Sequence, residues 1–272
     1  MSFQQLVRKT FAEPWAIMPE HLHGLIEKLW DLKGDWLDDW YGIKRDQYQA
    51  RLVNEGGLGV IRIPGAIGKG LSGWELMLGA VDVDDLIPLL RRCGDDKAIR
   101  AVFLDVDSPG GTMCGVPELS GEIVRLREKK PVLAYTDQMM CSAAYCISAG
   151  ATAVYSSASA YVGSIGVMMP ILDYSKHYEA MGVKQELFVS GPLKGAGYPG
   201  TALTPVQREY LQRLVDDSFM VFSEHVKASR LGVKADVFSG GVYHGVTAQA
   251  SGLVDSICDR DTAKADAMTL AA

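Results

Sequence analysis

Residues 98–106, AIRAVFLDV, hold only one charge before their closing aspartate and otherwise run apolar without alternation. A strand of that texture is covered on both faces, which calls for layers on either side of a mostly parallel sheet. Ser108-Pro109-Gly110-Gly111 breaks the run. A helix is expected next, with Met113, Val116, Leu119, Ile123, Val124 and Leu126 on one side. Arg125, Arg127, Glu128, Lys129 and Lys130 crowd its end, and residues 131–135, PVLAY, supply the next strand. Strand, helix and strand at this spacing imply parallel pairing through right-handed crossovers, an α/β fold.

The same grammar extends outward. Residues 58–63 read as a strand ended by Pro64-Gly65, and residues 84–92 as a short helix. Beyond residue 135 come a small-residue helix over 142–149, a strand over 153–155 and a glycine-flanked segment over 163–169. A helix over 174–181 and a strand over 185–189 are expected to follow. Thr204-Pro205-Val206-Gln207 combines an N-cap threonine, proline at the first helical position and glutamine at the third, so a long helix should start there.

Upstream the texture differs. Four of the five tryptophans, Trp15, Trp30, Trp36 and Trp40, fall in the first 40 residues, beside a helical spacing of Leu22, Leu25, Ile26 and Leu29. Residues 1–55 are read as a helical N-terminal arm, packed on its own domain or serving as an oligomer or procapsid contact. Residues 56–260 form the core and 261–272 a C-terminal tail. At 272 residues and 48% hydrophobic, the chain is long enough to bury a core without disulfide or metal help.

Charge and cysteine usage narrow the function classes. A formal charge of -6 with no basic block argues against a nucleic-acid partner. The longest uncharged apolar run, residues 163–172, is far short of the roughly 20 residues that span a bilayer, so no membrane anchor is expected. Residues 1–19 lack the pattern of a secretory signal. Five cysteines without a C-x-x-C pair read as buried thiols of a reducing compartment, with no metal and no cofactor expected.

Histidine offers no obvious general base. His21 and His23 lie in the arm, His177 and His225 in amphipathic helices and His244 in a turn-rich stretch, all with surface or structural explanations. Three other segments look more chemical. Gly110 and Gly111 at the end of a buried strand let backbone N–H groups face a ligand, although a tight turn explains them equally. Ser142 precedes Ala143-Ala144 at a strand-to-helix junction, where the positive helix end and the Ala143 N–H favour developing oxyanion charge; an N-cap role would account for it too. Lys194 is the only charged residue from 187 to 207. A lysine base must be neutral near pH 7, about three below its usual 10.4 and worth about 4 kcal/mol of differential solvation, which apolar surroundings favour. A solvated lysine on a loop would look the same.

Together the three segments resemble the signal peptide peptidase A-like serine peptidases, which share the ClpP/crotonase fold. The resemblance rests on VDSPGG at 106–111, residues 129–167, SGPLKGAG at 190–197, LTPVQREYLQRLVD at 203–216 and AQASGLVD at 248–255, and covers roughly residues 57–259. It implies a spiral of β-β-α units carrying a Ser/Lys dyad, with Ser142 the nucleophile and Lys194 the base. It further implies an oxyanion hole from the Gly111 and Ala143 N–H groups, supported by Gly110, and a Ser164 hydroxyl orienting the lysine. Where the family usually has SGGY, this chain has Ser142-Ala143-Ala144-Tyr145, which keeps the small size and the donor.

The opening EPWAIMPE at 13–20 is similar to phage-encoded relatives that process scaffold and capsid proteins during head maturation. On that resemblance the substrates are proteins or peptides, scaffold and capsid proteins among them. The chain is expected to be a homo-oligomeric ring or dome, placed in host cytoplasm or procapsid. A cytosolic signal peptide peptidase-like protease is the alternative, followed by a catalytically silent structural ring. A crotonase-type acyl-CoA enzyme would share the fold but generally works with carboxylates.

Overall fold

The computed structural model describes residues 15–17, 45–47 and 49–271. Most of the proposed helical arm lies outside the described residues. Within it, Trp15–Ile17 is a strand, β1, and Arg45–Gln47 a single 3-10 turn. Then follow β2 (Leu52–Glu55), β3 (Leu58–Pro64), β4 (Ile67–Gly68), α1 (Gly73–Met77), β5 (Val81–Asp82) and α2 (Val83–Asp95). Three β-β-α turns come next. They are β6 (Ala101–Asp107), β7 (Gly110–Thr112) and α3 (Val116–Arg127); β8 (Val132–Thr136), β9 (Met139–Cys141) and α4 (Ala143–Ala149); and β10 (Ala153–Ser156), β11 (Tyr161–Gly163) and α5 (Ser175–Ala180). The chain closes with α6 (Pro205–Ser229), β12 (Val242–His244), α7 (Gly245–Ala250), β13 (Ser256–Ile257) and α8 (Arg260–Thr269).

The pairing shows why this is a spiral. First strands of successive units stack side by side in a six-stranded sheet, β13-β10-β8-β6-β3-β2, parallel except for the β2–β3 hairpin. Second strands turn out of that sheet into two smaller ones, β1-β7-β4-β5 and β12-β11-β9. A lone parallel bridge between Ser108 and Met140 links β6's exit to β9. The α/β class expected from the sequence is present, in β-β-α units.

β6 sits near the middle of the large sheet, and its residues 101–106 are buried. Its Val102, Leu104 and Val106 join Leu86, Leu90, Leu119 and Ile123 of α2 and α3 in the main core. Phe103 points the other way, with Leu58, Leu133 and Tyr135, against Ala263 and Ala267 of α8. This is the period-two alternation of a strand serving two cores. The residues read as a C-terminal tail thus belong largely to the helix that covers the sheet's second face. Two alanines four apart give a narrow contact stripe, which carries little apolar signal in the sequence. Arg260 anchors the start of α8 by bonding the carboxylates of Asp105 and Asp137.

The long helix starts as its motif requires: the Thr204 side chain accepts from Gln207 N–H while the Gln207 side chain accepts from Thr204 N–H. One expected element is missing. Residues 185–189 form no strand; they are exposed and pair with no strand among the described residues, so apolar content alone did not make a strand there.

Candidate active site

Ser142 stands between β9 and α4, at φ 56 and ψ -120. A non-glycine residue held there stores about 1–3 kcal/mol and persists only where its surroundings dictate it. They do so here. The Ser142 N–H donates to Gly163 carbonyl at 2.7 Å, and its own carbonyl accepts from Cys146 N–H at 2.8 Å. Ser142 occupies the N-cap position of α4, yet its side chain makes no capping hydrogen bond. Its hydroxyl instead makes one long bond, 3.4 Å, to Gly166 carbonyl. The capping explanation therefore fails, and a buried hydroxyl is left weakly engaged.

The segment beneath it is equally constrained. The buried Ser108 accepts Cys141 N–H on its carbonyl at 3.1 Å and donates its hydroxyl to Gly65 carbonyl at 2.5 Å. The same hydroxyl accepts from Gly110 N–H at 3.2 Å. Gly111 lies opposite Ile67 of β4, so close that a Cβ on it would sit 1.8 Å from the Ile67 carbonyl oxygen. No other residue fits, and close backbone approach accounts for glycine at this position. Helix α4, with Ser142 at its head, packs directly on β7. Ser142, Ala143, Gly110 and Gly111 thus share one buried neighbourhood. The Ser108 N–H also donates to Met139 carbonyl at 2.8 Å, and it is these contacts, which the sequence does not announce, that give Ser108 its part.

Ser164 follows Gly163 in a second left-handed pair, at φ 52 and 112 respectively, and is buried, with its N–H bonded to Gly241 carbonyl at 2.7 Å. Gly163 therefore braces Ser142 through its carbonyl while its neighbour Ser164 is held from the far side.

Lys194 is different. It lies in a run of turns between α5 and α6, where its N–H donates to Gly191 carbonyl at 3.1 Å, while its side chain is exposed and makes no hydrogen bond or ion pair among the described residues. It lines an open cleft of about 540 Å³ with Ser190, Gly191, Pro192, Leu193 and Tyr210. The apolar cover expected around the amine is not supplied by this chain's described residues, and Lys194 is not hydrogen-bonded to Ser142. His225, among the histidines, is pushed down in pKa by burial, against a hydrogen bond to the Cys146 backbone that favours the charged ring. Tyr145, one turn into α4, donates to Leu253 carbonyl at 2.9 Å, tying that helix to the C-terminal half.

The profile of peptidase family S49 matches residues 124–272, more than half of the chain. The chain belongs to peptidase family S49. The matched span includes Ser142, Ala143, Ser164 and Lys194, whereas Gly110 and Gly111 precede it. Among curated relatives, the head-tail preconnector protein GP5 of Enterobacteria phage P21 is 32% identical over 82% of this chain and 44% of its own length. Capsid assembly protease C of Escherichia phage lambda is 30% identical over 74% of this chain and 46% of its own. The chloroplastic serine protease SPPA of Arabidopsis thaliana is 26% identical over 74% and 30% respectively. The S49 chain thus spans about half, or less, of the length of these relatives. Among solved structures, an enoyl-CoA hydratase from Polaromonas sp. JS666 aligns at TM-score 0.43 with 13% identity, covering 82% of this chain and 76% of that one. No helix among the described residues is long and apolar enough to cross a membrane.

Proposed function

We propose that this S49 member is a serine endopeptidase in which Ser142 and Lys194 form the dyad. The observation that carries the reading is the Ser142 turn: a buried serine in a strained conformation, at the head of a helix it does not cap. In the proposed reaction the Lys194 amine takes the hydroxyl proton as Ser142 Oγ attacks the scissile carbonyl. The N–H groups of Gly111 and Ala143, with Gly110 shaping the strand, receive the oxyanion. Collapse of that intermediate breaks the C–N bond, and the departing amine takes the proton from Lys194. Water then repeats the sequence on the acyl-enzyme and releases the acid. Ser164 is assigned to orienting the lysine.

The exposed lysine implies that cover arrives with something else. Met181, Leu187, Phe188, Val189 and Tyr198 are exposed on the same loop region, with Phe188 92% accessible. Contiguous apolar exposure of that kind fits burial against a second subunit, in keeping with a homo-oligomeric ring or dome. The two phage relatives support scaffold and capsid proteins as substrates, and hence a site of action in host cytoplasm or procapsid.

A fluorophosphonate probe tests the chemistry. Labelling should fall on Ser142, vanish in Ser142→Ala and drop at least tenfold in Lys194→Ala; full labelling of both variants would refute the dyad. With chemistry limiting, turnover should climb between pH 7 and 9 as the amine loses its proton. Co-expression with scaffold and major capsid proteins tests the substrate: specific cleavage is expected. Its absence, alongside turnover of signal-peptide fragments, would move the chain to the signal peptide peptidase role.

A further inference from the structure

Strand β7 carries the proposed oxyanion donor, and both of its edges are filled. On one side Ile67 of β4 pairs with Gly111 in parallel. On the other, β1 pairs antiparallel along the whole strand, Trp15 opposite Thr112, Ala16 opposite Gly111 and Ile17 opposite Gly110. A polypeptide whose carbonyl must reach the Gly111 N–H is best held extended, because a strand added to an open edge satisfies its backbone groups and fixes its register. One neighbour of β7 must therefore leave before such a substrate can bind.

The two neighbours are not equally removable. β4 is buried, pairs on its far side with β5 and sits in the main core through Ile67. β1 lies at the end of the small sheet and, among the described residues, pairs only with β7. Ile17 within it is buried at 4% accessibility. A strand at the end of a sheet, held by pairing on one edge, yields before one paired on both edges inside the core.

We propose that residues 15–17 act as a built-in pseudosubstrate: they occupy the edge of β7 that receives the extended substrate, and the peptidase works on chains only when β1 has withdrawn. This rests on the peptidase reading above. It identifies the substrate class as unstructured polypeptide segments able to pair as a strand, and it gives the N-terminal region a regulatory place beside any assembly contact.

A reversible lock tests it without unfolding the enzyme. Trp15→Cys with Thr112→Cys, in a Cys114→Ser background that removes the exposed thiol, places two cysteines opposite one another across the β1–β7 ladder. Hydrolysis of a quenched fluorogenic peptide should be at least tenfold slower in the oxidised form than after reduction of the same sample. Ile17→Asp, which removes that buried apolar side chain, should hydrolyse it at least threefold faster than the parent. Equal rates in oxidised and reduced forms, with Ser142 still labelled by fluorophosphonate, would overturn the pseudosubstrate and leave the peptidase standing. No labelling of Ser142 in parent, locked or Ile17→Asp protein would overturn both. Ser142-dependent cleavage between Ala16 and Ile17, seen in the intact mass of the parent, would also overturn it, since the strand would then be consumed as substrate.

Discussion

The turn that holds Ser142 and the loop that holds Lys194 belong to one proposed site, yet they are built by opposite means. Ser142 is fixed by the core: its N–H, its carbonyl and the strand beneath it all have dictated partners, and its conformation is one that only such surroundings would impose. Lys194 is fixed by nothing comparable, lying exposed among turns. A nucleophile and oxyanion donors need sub-ångström placement, which a packed interior supplies. A lysine base needs dehydration more than fixity, and dehydration can be delivered by assembly or by the substrate. The contrast suggests a chain that carries half of its site ready-made and half awaiting cover.

The largest expected effect comes from attacking the ready-made half. Gly111→Ala puts a methyl group 1.8 Å from the Ile67 carbonyl oxygen. Either β4 or β7 must shift, at a cost of about 3 kcal/mol or more by analogy with overpacked cores. Displacing an oxyanion donor costs about 10²–10³-fold in turnover. Denaturant melts and peptide turnover should register both. A variant with parental turnover would show that β7 is not part of the site.

Much of the prepared half was legible in the sequence, because local chemistry and global fold agree there. An unbroken apolar run marks β6, Ser-Pro-Gly-Gly marks its end, and Thr204-Pro205 with Gln207 marks the start of α6. What could not be read rests on contacts distant along the chain. Ser108 matters through Gly65 and Cys141, and Gly111 through Ile67. The alanine stripe of α8 gives little apolar signal, so the sequence does not announce the helix within residues 261–272. Residues 185–189 differ from expectation, since their apolar pattern promises a strand and they pair with none among the described residues.

The uncovered half is tested next. Phe188→Asp changes a side chain that contacts little in the single chain, so the melting temperature of an isolated subunit should hold. If a neighbour covers that region, sedimentation should show a smaller assembly and peptide turnover should fall about tenfold, with fluorophosphonate labelling falling in parallel as the lysine stays hydrated. An unchanged assembly with unchanged turnover would place the cover elsewhere.

A smaller effect separates strain from packing at the nucleophile. Ser142→Gly removes the hydroxyl and also the Cβ that makes φ 56 unfavourable. Activity should vanish while stability rises by about 1 kcal/mol, the amount expected when a strained position is given to glycine. Ser142→Ala, which keeps the Cβ, should lose activity without that gain. Equal stability for the two variants would mean that the turn is not strained.

The smallest effect concerns pH and a group that the proposed chemistry does not use. Burial lowers the pKa of His225 beneath the usual 6.5, so the folded state holds the imidazole neutral. Between the folded and unfolded values the unfolded chain binds more protons, and stability therefore rises with pH through that window. The contribution is complete above about 6.5 and is lost as pH falls through the lower, folded value. Among the described residues the Nε2 atom of His225 is buried without a hydrogen-bond partner. His225→Leu should flatten the fall in melting temperature between pH 7.5 and 5.5 without altering the ratio of turnover at pH 9 to that at pH 7. A loss of the alkaline rise in His225→Leu would instead place a histidine in the proton path, and the division between a packed nucleophile and an uncovered lysine would have to be redrawn.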